Sequence, residues 1–188
     1  ENGRLWMAAL DKGLYWREGG AWNRWQGEAG GLGIASNAAR QPDGRAAILF
    51  RNAPPLQGRP PFDAIHKARF AVGEIEGLLP GREALYVSGG QGLARLRGGA
   101  IAGLDAERYP WLASVNGLVQ TPAGDTWTIG DAGVVRMRSA DLDQALDRPG
   151  APLPRRVFDF RDGLNSFVQK SPGQQIAAGG DGRIWILT

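Results

Sequence analysis

A short pattern, Gly-Arg-aliphatic-Trp, occurs near both ends of this 188-residue chain, in "NGRLWMAA", which begins at Asn2, and in "DGRIWILT", which ends at Thr188. Weaker copies lie between them, in "PDGRAAIL", "PGREALYV" and "PAGDTWTI". The aromatic position of the pattern falls at residues 6, 47, 86, 127 and 185, although residue 47 is alanine. The first four copies therefore follow one another at about 40 residues, a period typical of proteins that repeat one supersecondary unit.

Each unit combines turn residues with short apolar segments. A Pro-x-Gly or Gly-Asp-Gly turn supplies positions that tolerate positive φ. A strand such as 126–129 follows, then a second turn with glycine, and then a strand such as 133–137. The apolar residues alternate or run in fours, and none continues at helical spacing. Four short antiparallel strands in every ~40 residues predict an all-β chain made of β-propeller blades.

The repeat divides the chain into units of about 1–37, 38–73, 74–113 and 114–173, followed by a partial unit, 174–188. This organisation predicts an incomplete propeller of four to five blades. An arc cut from a larger propeller is favoured over a self-closed ring, because the two ends of the chain repeat the same strand. The open blade edges of an arc would be templates for pairing and would allow a homodimer.

Two departures from the period have local explanations. The prolines in "RNAPPLQGRPP" predict an enlarged turn in the second unit. The longer last interval predicts a helix over Ser139–Leu146, with Ser139 as its N-cap, inserted between two strands of one blade. The recurrence of Trp6, Trp127 and Trp185 at one repeat position predicts that all three are packed between blades.

Composition excludes several kinds of function. The net charge is +3, but the basic residues are scattered, so nucleic acid is not an expected partner. The absence of cysteine excludes disulfides and Cys-ligated metals. The single histidine, His66, lacks partners for a catalytic triad or a histidine zinc site, and "GGLGIAS" lacks the strand and helix of a dinucleotide loop. We therefore expect no catalytic residues, no metal and no cofactor.

Alternate turns of an antiparallel blade lie at opposite ends of its strands. The tight Pro-x-Gly turns share one end, whereas longer and more polar loops share the other. Loops on a rigid scaffold commonly carry recognition, so a ligand is predicted to bind at the second end. The predicted ligand-binding residues are Asp11, Lys12, Arg51, Asn52, Gln91, Tyr109, Trp111, Asp131 and Asn165.

Three stretches carry a family resemblance: "DGRIWILT", "GDTWTIGDAGVVRM" and "NGRLWMAALDKGLYW". They resemble the two-component regulator propeller repeat, which reads roughly Asp-Gly-aromatic or aliphatic-Trp-aliphatic-Gly-Thr, then Gly-Leu and a strand. The Asp162-Gly163-Leu164 loop before the last unit is also similar to that family. The resemblance covers nearly the whole chain and suggests the C-terminal part of such a propeller.

The resemblance implies an extracytoplasmic sensor domain of a bacterial histidine kinase. The domain would be the periplasmic or extracellular part of a membrane-anchored inner-membrane protein. It would bind an unknown small molecule or protein, and binding would change propeller or dimer packing. This chain itself is not expected to be an enzyme. Two alternatives stay open: a propeller enzyme of the lyase or hydrolase type, and a protein-interaction scaffold unrelated to signalling.

Overall fold

The chain was analysed as a computed structural model, which describes residues 5–9, 12–25, 35–51, 53–58, 63–65, 70–164 and 175–187. Within these residues it forms one α-helix, α1, at Ser139–Asp147. The strands are Leu5–Ala9 (β1), Gly13–Glu18 (β2), Ala21–Arg24 (β3), Ala35–Arg40 (β4), Ala46–Phe50 (β5), Leu56–Gly58 (β6), Asp63–Ala64 (β7), Ile75–Pro80 (β8), Leu85–Gly89 (β9), Gly92–Arg97 (β10), Ala100–Asp105 (β11), Gly117–Gln120 (β12), Asp125–Gly130 (β13), Gly133–Arg138 (β14), Arg155–Phe158 (β15), Ile176–Ala178 (β16) and Ile184–Ile186 (β17).

The strands form five separate sheets, and within each sheet every strand pairs antiparallel with the strands next to it in sequence. We number them sheet 1 (β1–β3), sheet 2 (β4–β7), sheet 3 (β8–β11), sheet 4 (β12–β15) and sheet 5 (β16–β17). Sheets 2, 3 and 4 are four-stranded meanders, so the predicted all-β fold with four-stranded blades is confirmed. The first strands of sheets 2 to 5 contact one another in turn and form the inner side of the arc.

The glycine turns that join the first two strands of sheets 2, 4 and 5 repeat one geometry. Gly44, Gly124 and Gly182 have φ of 82°, 84° and 81°, a region that an L side chain rarely adopts. Each glycine N–H donates to the carbonyl three residues earlier: Gly44 to Gln41 (2.9 Å), Gly124 to Thr121 (3.0 Å) and Gly182 to Gly179 (3.1 Å). The sequence repeat is therefore also a repeat of backbone conformation. These turns lie at one end of the sheets, which we call the turn end.

The second unit departs from the others in its structure at the place where its sequence departs. Residues 51–55 separate β5 from β6, whereas Gly90 and Gln91 alone separate β9 from β10. The enlarged turn predicted from its prolines is therefore present. The predicted unit boundaries stay a prediction, since 73/74 and 113/114 fall between strands but 37/38 falls inside β4.

The repeated aromatic position faces the following sheet. Tyr86 is only 1% exposed and packs towards sheet 4, whereas Trp6 and Trp127 are half-buried. Trp127 stacks on Phe158 with ring centroids 5.3 Å apart and contacts the apolar residues of sheet 5. Trp185 is 60% exposed, so the expectation that it is packed between blades is wrong. At the equivalent position of earlier sheets, the next sheet packs against the aromatic side chain. In the described part of the chain no sheet follows sheet 5, so none packs against Trp185.

The helix predicted from the long interval is present and lies between β14 and β15, as expected. Ser139, however, is its first helical residue, and Arg138 occupies the N-cap position. The predicted cap is wrong because the Ser139 hydroxyl lies 2.8 Å from Thr126 Oγ1 and makes its hydrogen bond to β13. The tertiary contact thus replaces the local cap.

The apolar side of α1 completes the core between sheets 3 and 4. Leu142, Ala145 and Leu146 are buried beside Leu104 of β11 and Val135 of β14. Sheets that radiate from a common axis diverge outwards, which leaves a wedge-shaped gap between their outer strands. The helix fills this gap and brings the polar residues of its first turns to the turn end.

Candidate functional site

The predicted ligand-binding residues were assigned to the end opposite the turn end, which we call the loop end. Those that the structure describes as exposed there are Lys12, Arg51, Gln91 and Asp131. Asp11, Asn52 and Asn165 lie outside the described residues. Binding of a ligand at the loop end therefore stays a prediction.

Tyr109 and Trp111 have packing partners inside the protein. Tyr109 is buried, and its hydroxyl donates to the carbonyl of Ala151 at 2.7 Å. Trp111 is half-buried and meets Tyr109 edge-on, with centroids 5.7 Å apart. The guanidinium of Arg155 lies 3.4 Å from the centroid of the Trp111 ring. The two rings join the loop before sheet 4 to the segment that follows α1, and their role in ligand binding stays a prediction.

Two cavities of about 250 Å³ each lie towards the turn end. One lies between sheets 2 and 3, where Ile65, Phe70 and Leu96 line it together with polar residues such as Asp43 and Arg45. The other lies between sheet 3, sheet 4 and α1, and we call it the Tyr86 cavity. Its lining is Arg82, Glu83, Ala84, Tyr86, Arg97, Gln120, Thr121, Gly124, Ser139 and Asp143. This polar lining makes the Tyr86 cavity the candidate functional site.

Gln120 connects the two sheets at the base of the Tyr86 cavity. Its Nε2 donates to the Tyr86 hydroxyl and to Thr126 Oγ1, both at 3.3 Å. Its Oε1 accepts from the backbone N–H of Arg82 at 2.9 Å. One amide at the end of β12 thereby holds the turn of sheet 3 and the Tyr86 ring in place, so the cavity walls are connected by hydrogen bonds across the sheet interface.

A cluster of charges attaches α1 to sheet 3 beside the cavity. The Arg95 side chain is 7% exposed; its Nη1 donates to Asp143 at 2.5 Å and its Nη2 donates to Asp147. Arg97 Nη2 donates to the same Asp143 oxygen at 2.7 Å. Burial disfavours the charged form of Arg95, but the hydrogen bonds that it donates to both carboxylates outweigh burial and raise the pKa of Arg95. The cluster positions the Arg97 guanidinium at the cavity wall.

The Tyr86 hydroxyl is a hydrogen-bond donor over the whole physiological pH range. Burial raises its pKa from 10.0 to about 12, and the negative charge of Asp143 adds to the increase. The hydroxyl accepts from Gln120, and its own proton has no acceptor among the described residues. It therefore presents an O–H donor in the cavity.

Titration with alkali tests the environment of Tyr86. We expect tyrosinate absorbance of the native chain to include a component near pH 12 that is absent from Tyr86→Phe. Because the folded pKa exceeds the unfolded value, the associated stabilisation is complete below pH 10 and disappears as pH rises towards 12, by about 3 kcal/mol. Tyr15→Phe is the control and should retain the component. Complete ionisation of every tyrosine near pH 10 in the folded chain would contradict the assignment.

Sequence reasoning missed the Tyr86 cavity because its residues come from distant segments. A signal was nevertheless present, since Arg95 and Arg97 are two apart and lie on one face of a strand. Asp143 and Asp147 are four apart and lie on one face of a helix. Only the packing of α1 against sheet 3 shows that these two faces meet.

Two further properties concern the described residues alone. Within them, no group of three or more His, Cys, Asp or Glu side chains could hold a metal ion. No helix found in those same parts of the chain has the length and apolar character needed to cross a membrane.

Comparison with known proteins places the fold. No protein-family model and no curated protein matches the chain. Among solved structures, it is similar to the extracellular domain of BT3049 from B. thetaiotaomicron, a protein described as a hybrid two-component system, with 11% identity and a TM-score of 0.69. The corresponding domain of BT4673 from the same organism gives 18% identity and a TM-score of 0.62. The virginiamycin B lyase of Staphylococcus aureus gives 11% identity and a TM-score of 0.61.

The coverage of these matches is uneven. They include 99%, 97% and 99% of this chain, respectively. The chain spans only 25% and 24% of the two B. thetaiotaomicron chains and 60% of the lyase chain. At this level of identity the similarity concerns the fold and carries no activity with it. The chain therefore has the fold of part of a β-propeller, shared with extracellular domains of two-component systems and with a lyase.

Proposed function

We propose that this chain is a ligand-recognising part of an extracellular propeller in a two-component sensor. The observation that carries the proposal is the similarity of nearly the whole chain to the extracellular domains of two such systems. The resemblance of its repeats to the two-component regulator propeller agrees with this role. The parent protein would be a membrane-anchored histidine kinase, with this part in the periplasm or outside the cell.

Recognition, rather than chemistry, is the proposed activity of the chain itself. The Tyr86 cavity is lined by donors and charged groups that are held by hydrogen bonds across a sheet interface. A ligand bound there would contact sheet 3, sheet 4 and α1 together. Binding would therefore change the relative packing of two blades, and this change is the proposed signal to the rest of the sensor.

The reading frame that encodes the chain provides the test. We expect the frame beyond Thr188 to encode a membrane-spanning helix followed by a histidine kinase domain. Sequencing the DNA on both sides of the region that encodes this chain tests the expectation directly. A frame that instead closes the propeller and then stops would overturn the sensor proposal and favour an enzyme or a scaffold.

A second candidate function is that of a lyase, because the structure of the virginiamycin B lyase is similar to 99% of this chain with a TM-score of 0.61. Incubation with virginiamycin B, followed by chromatography of the intact compound, separates the two functions. We expect no consumption by this chain under conditions in which the Staphylococcus aureus lyase, as the positive control, consumes it. Consumption by this chain would contradict the proposal that the chain recognises a ligand without changing it chemically.

A further inference from the structure

We propose that the Tyr86 cavity binds the carboxylate group of a small organic acid. The proposal depends on the proposed function for its biological role, whereas its chemistry depends only on the cavity. It is carried by the juxtaposition of three donors, from Tyr86, Arg97 and Arg82, that lack good acceptors among the described residues.

The three donors come from two strands and one turn of sheet 3. The Tyr86 hydroxyl accepts from Gln120 but donates to no described residue. Arg97 donates through Nη2 to Asp143, while its buried Nε–H has no partner in the part of the chain that the structure describes. Within the described residues, the side chain of Arg82 makes one long hydrogen bond, 3.4 Å, from Nη1 to the carbonyl of Thr121. A buried donor without an acceptor costs stability, so an acceptor supplied by a ligand is favoured there.

The balance of charge favours a ligand group that carries one negative charge over a group that carries two. Asp143 lines the cavity, but Arg95 and Arg97 already pair with it. Arg82 then has no paired carboxylate among the residues that the structure describes, and Glu83, which also lines the cavity, is exposed. A carboxylate brings one charge and two acceptor oxygens, which suit the planar guanidinium of an arginine. A phosphate dianion would carry more charge against the nearby Asp143 carboxylate.

The size of the cavity limits the rest of the ligand. A volume of about 250 Å³ admits a small acid and excludes a polymer from the interior. Ser139 and Thr121 also line the cavity, and their hydroxyl groups already have hydrogen-bond partners in Thr126 and Asp125. The ligand class is therefore a small, polar, monoanionic or dianionic carboxylic acid.

The experiment titrates the full 188-residue chain with succinate by calorimetry at constant ionic strength. Succinamide, which has the same carbon skeleton but no charge, is the neutral comparison, and sulfate is the inorganic comparison. We expect succinate to bind, succinamide to give no heat, and sulfate to bind at least about tenfold more weakly. Succinate and sulfate binding equally would overturn the choice of carboxylate, as would equal binding of succinamide.

Variants locate the site. Tyr86→Phe and Arg97→Gln are expected to weaken succinate binding about tenfold each, the usual effect of removing one hydrogen bond to a charged group. Arg183→Gln removes one exposed charge in sheet 5 and should leave the affinity unchanged. If Arg97→Gln fails to fold, the exposed Arg82→Gln decides in its place. Unchanged affinity in the cavity variants, or an equal loss in Arg183→Gln, would refute the site while leaving the reading-frame test of the sensor untouched.

Discussion

Replacement of Gly92 by alanine is expected to destabilise the chain by about 3 kcal/mol or more. Gly92 begins β10 with φ of 145°, and a Cβ atom there would lie 2.1 Å from the carbonyl oxygen of Leu104. That oxygen belongs to the backbone of β11, so it cannot move away as a side chain would. The free energy of unfolding, measured with urea and tryptophan fluorescence, should fall accordingly.

The matched control for Gly92 is Gly98, which also has a positive φ, of 57°. A Cβ atom at Gly98 would meet nothing within 4 Å, so only the backbone conformation is penalised. We expect Gly98→Ala to cost about 1 kcal/mol. Equal losses for the two variants would show that the close approach of β10 and β11 at Gly92 is not a constraint.

Replacement of Leu118 by alanine is expected to cost about 3 kcal/mol, since it removes a buried side chain and leaves a cavity. Leu118 is 0% exposed in β12, the first strand of sheet 4, and packs in the core shared with Tyr86 of sheet 3. The loss measures how strongly one blade depends on its neighbour. Thermal and urea unfolding should both report it.

Leu187→Ala is the control for the core variant, because it deletes the same atoms from a side chain that is 56% exposed. Its effect should stay within about 0.5 kcal/mol. A loss of stability as large as that of Leu118→Ala would indicate that Leu187 is covered in solution. A small loss in both variants would contradict the continuous core between sheets 3 and 4.

Much of the fold could be predicted from local chemistry. Gly44, Gly124 and Gly182 adopt one turn geometry because only glycine enters that region of φ without steric cost. The helix at 139–147 was predictable because an acidic residue, Asp141, stands in its first turn and Pro149-Gly150 follows its end. Each of these features depends on residues within one turn or one element.

Features that depend on contacts between elements were not predictable. Ser139 has the chemistry of an N-cap, but its hydroxyl meets Thr126 of another strand. Trp185 has the same repeat position as the buried Tyr86, but its exposure depends on whether a sheet covers it. Neither outcome is contained in the residue or its neighbours in sequence.

The sequence by itself determined the blade period, the glycine turns, the strands and the inserted helix, since these follow from backbone sterics and from hydrophobic periodicity over short distances. The tertiary structure decided which aromatic residues are covered and where the polar cavity lies. Tyr86, Arg97 and Asp143 meet only when α1 packs between two diverging sheets. Such a meeting depends on the distance between segments in space, which a repeat pattern does not encode.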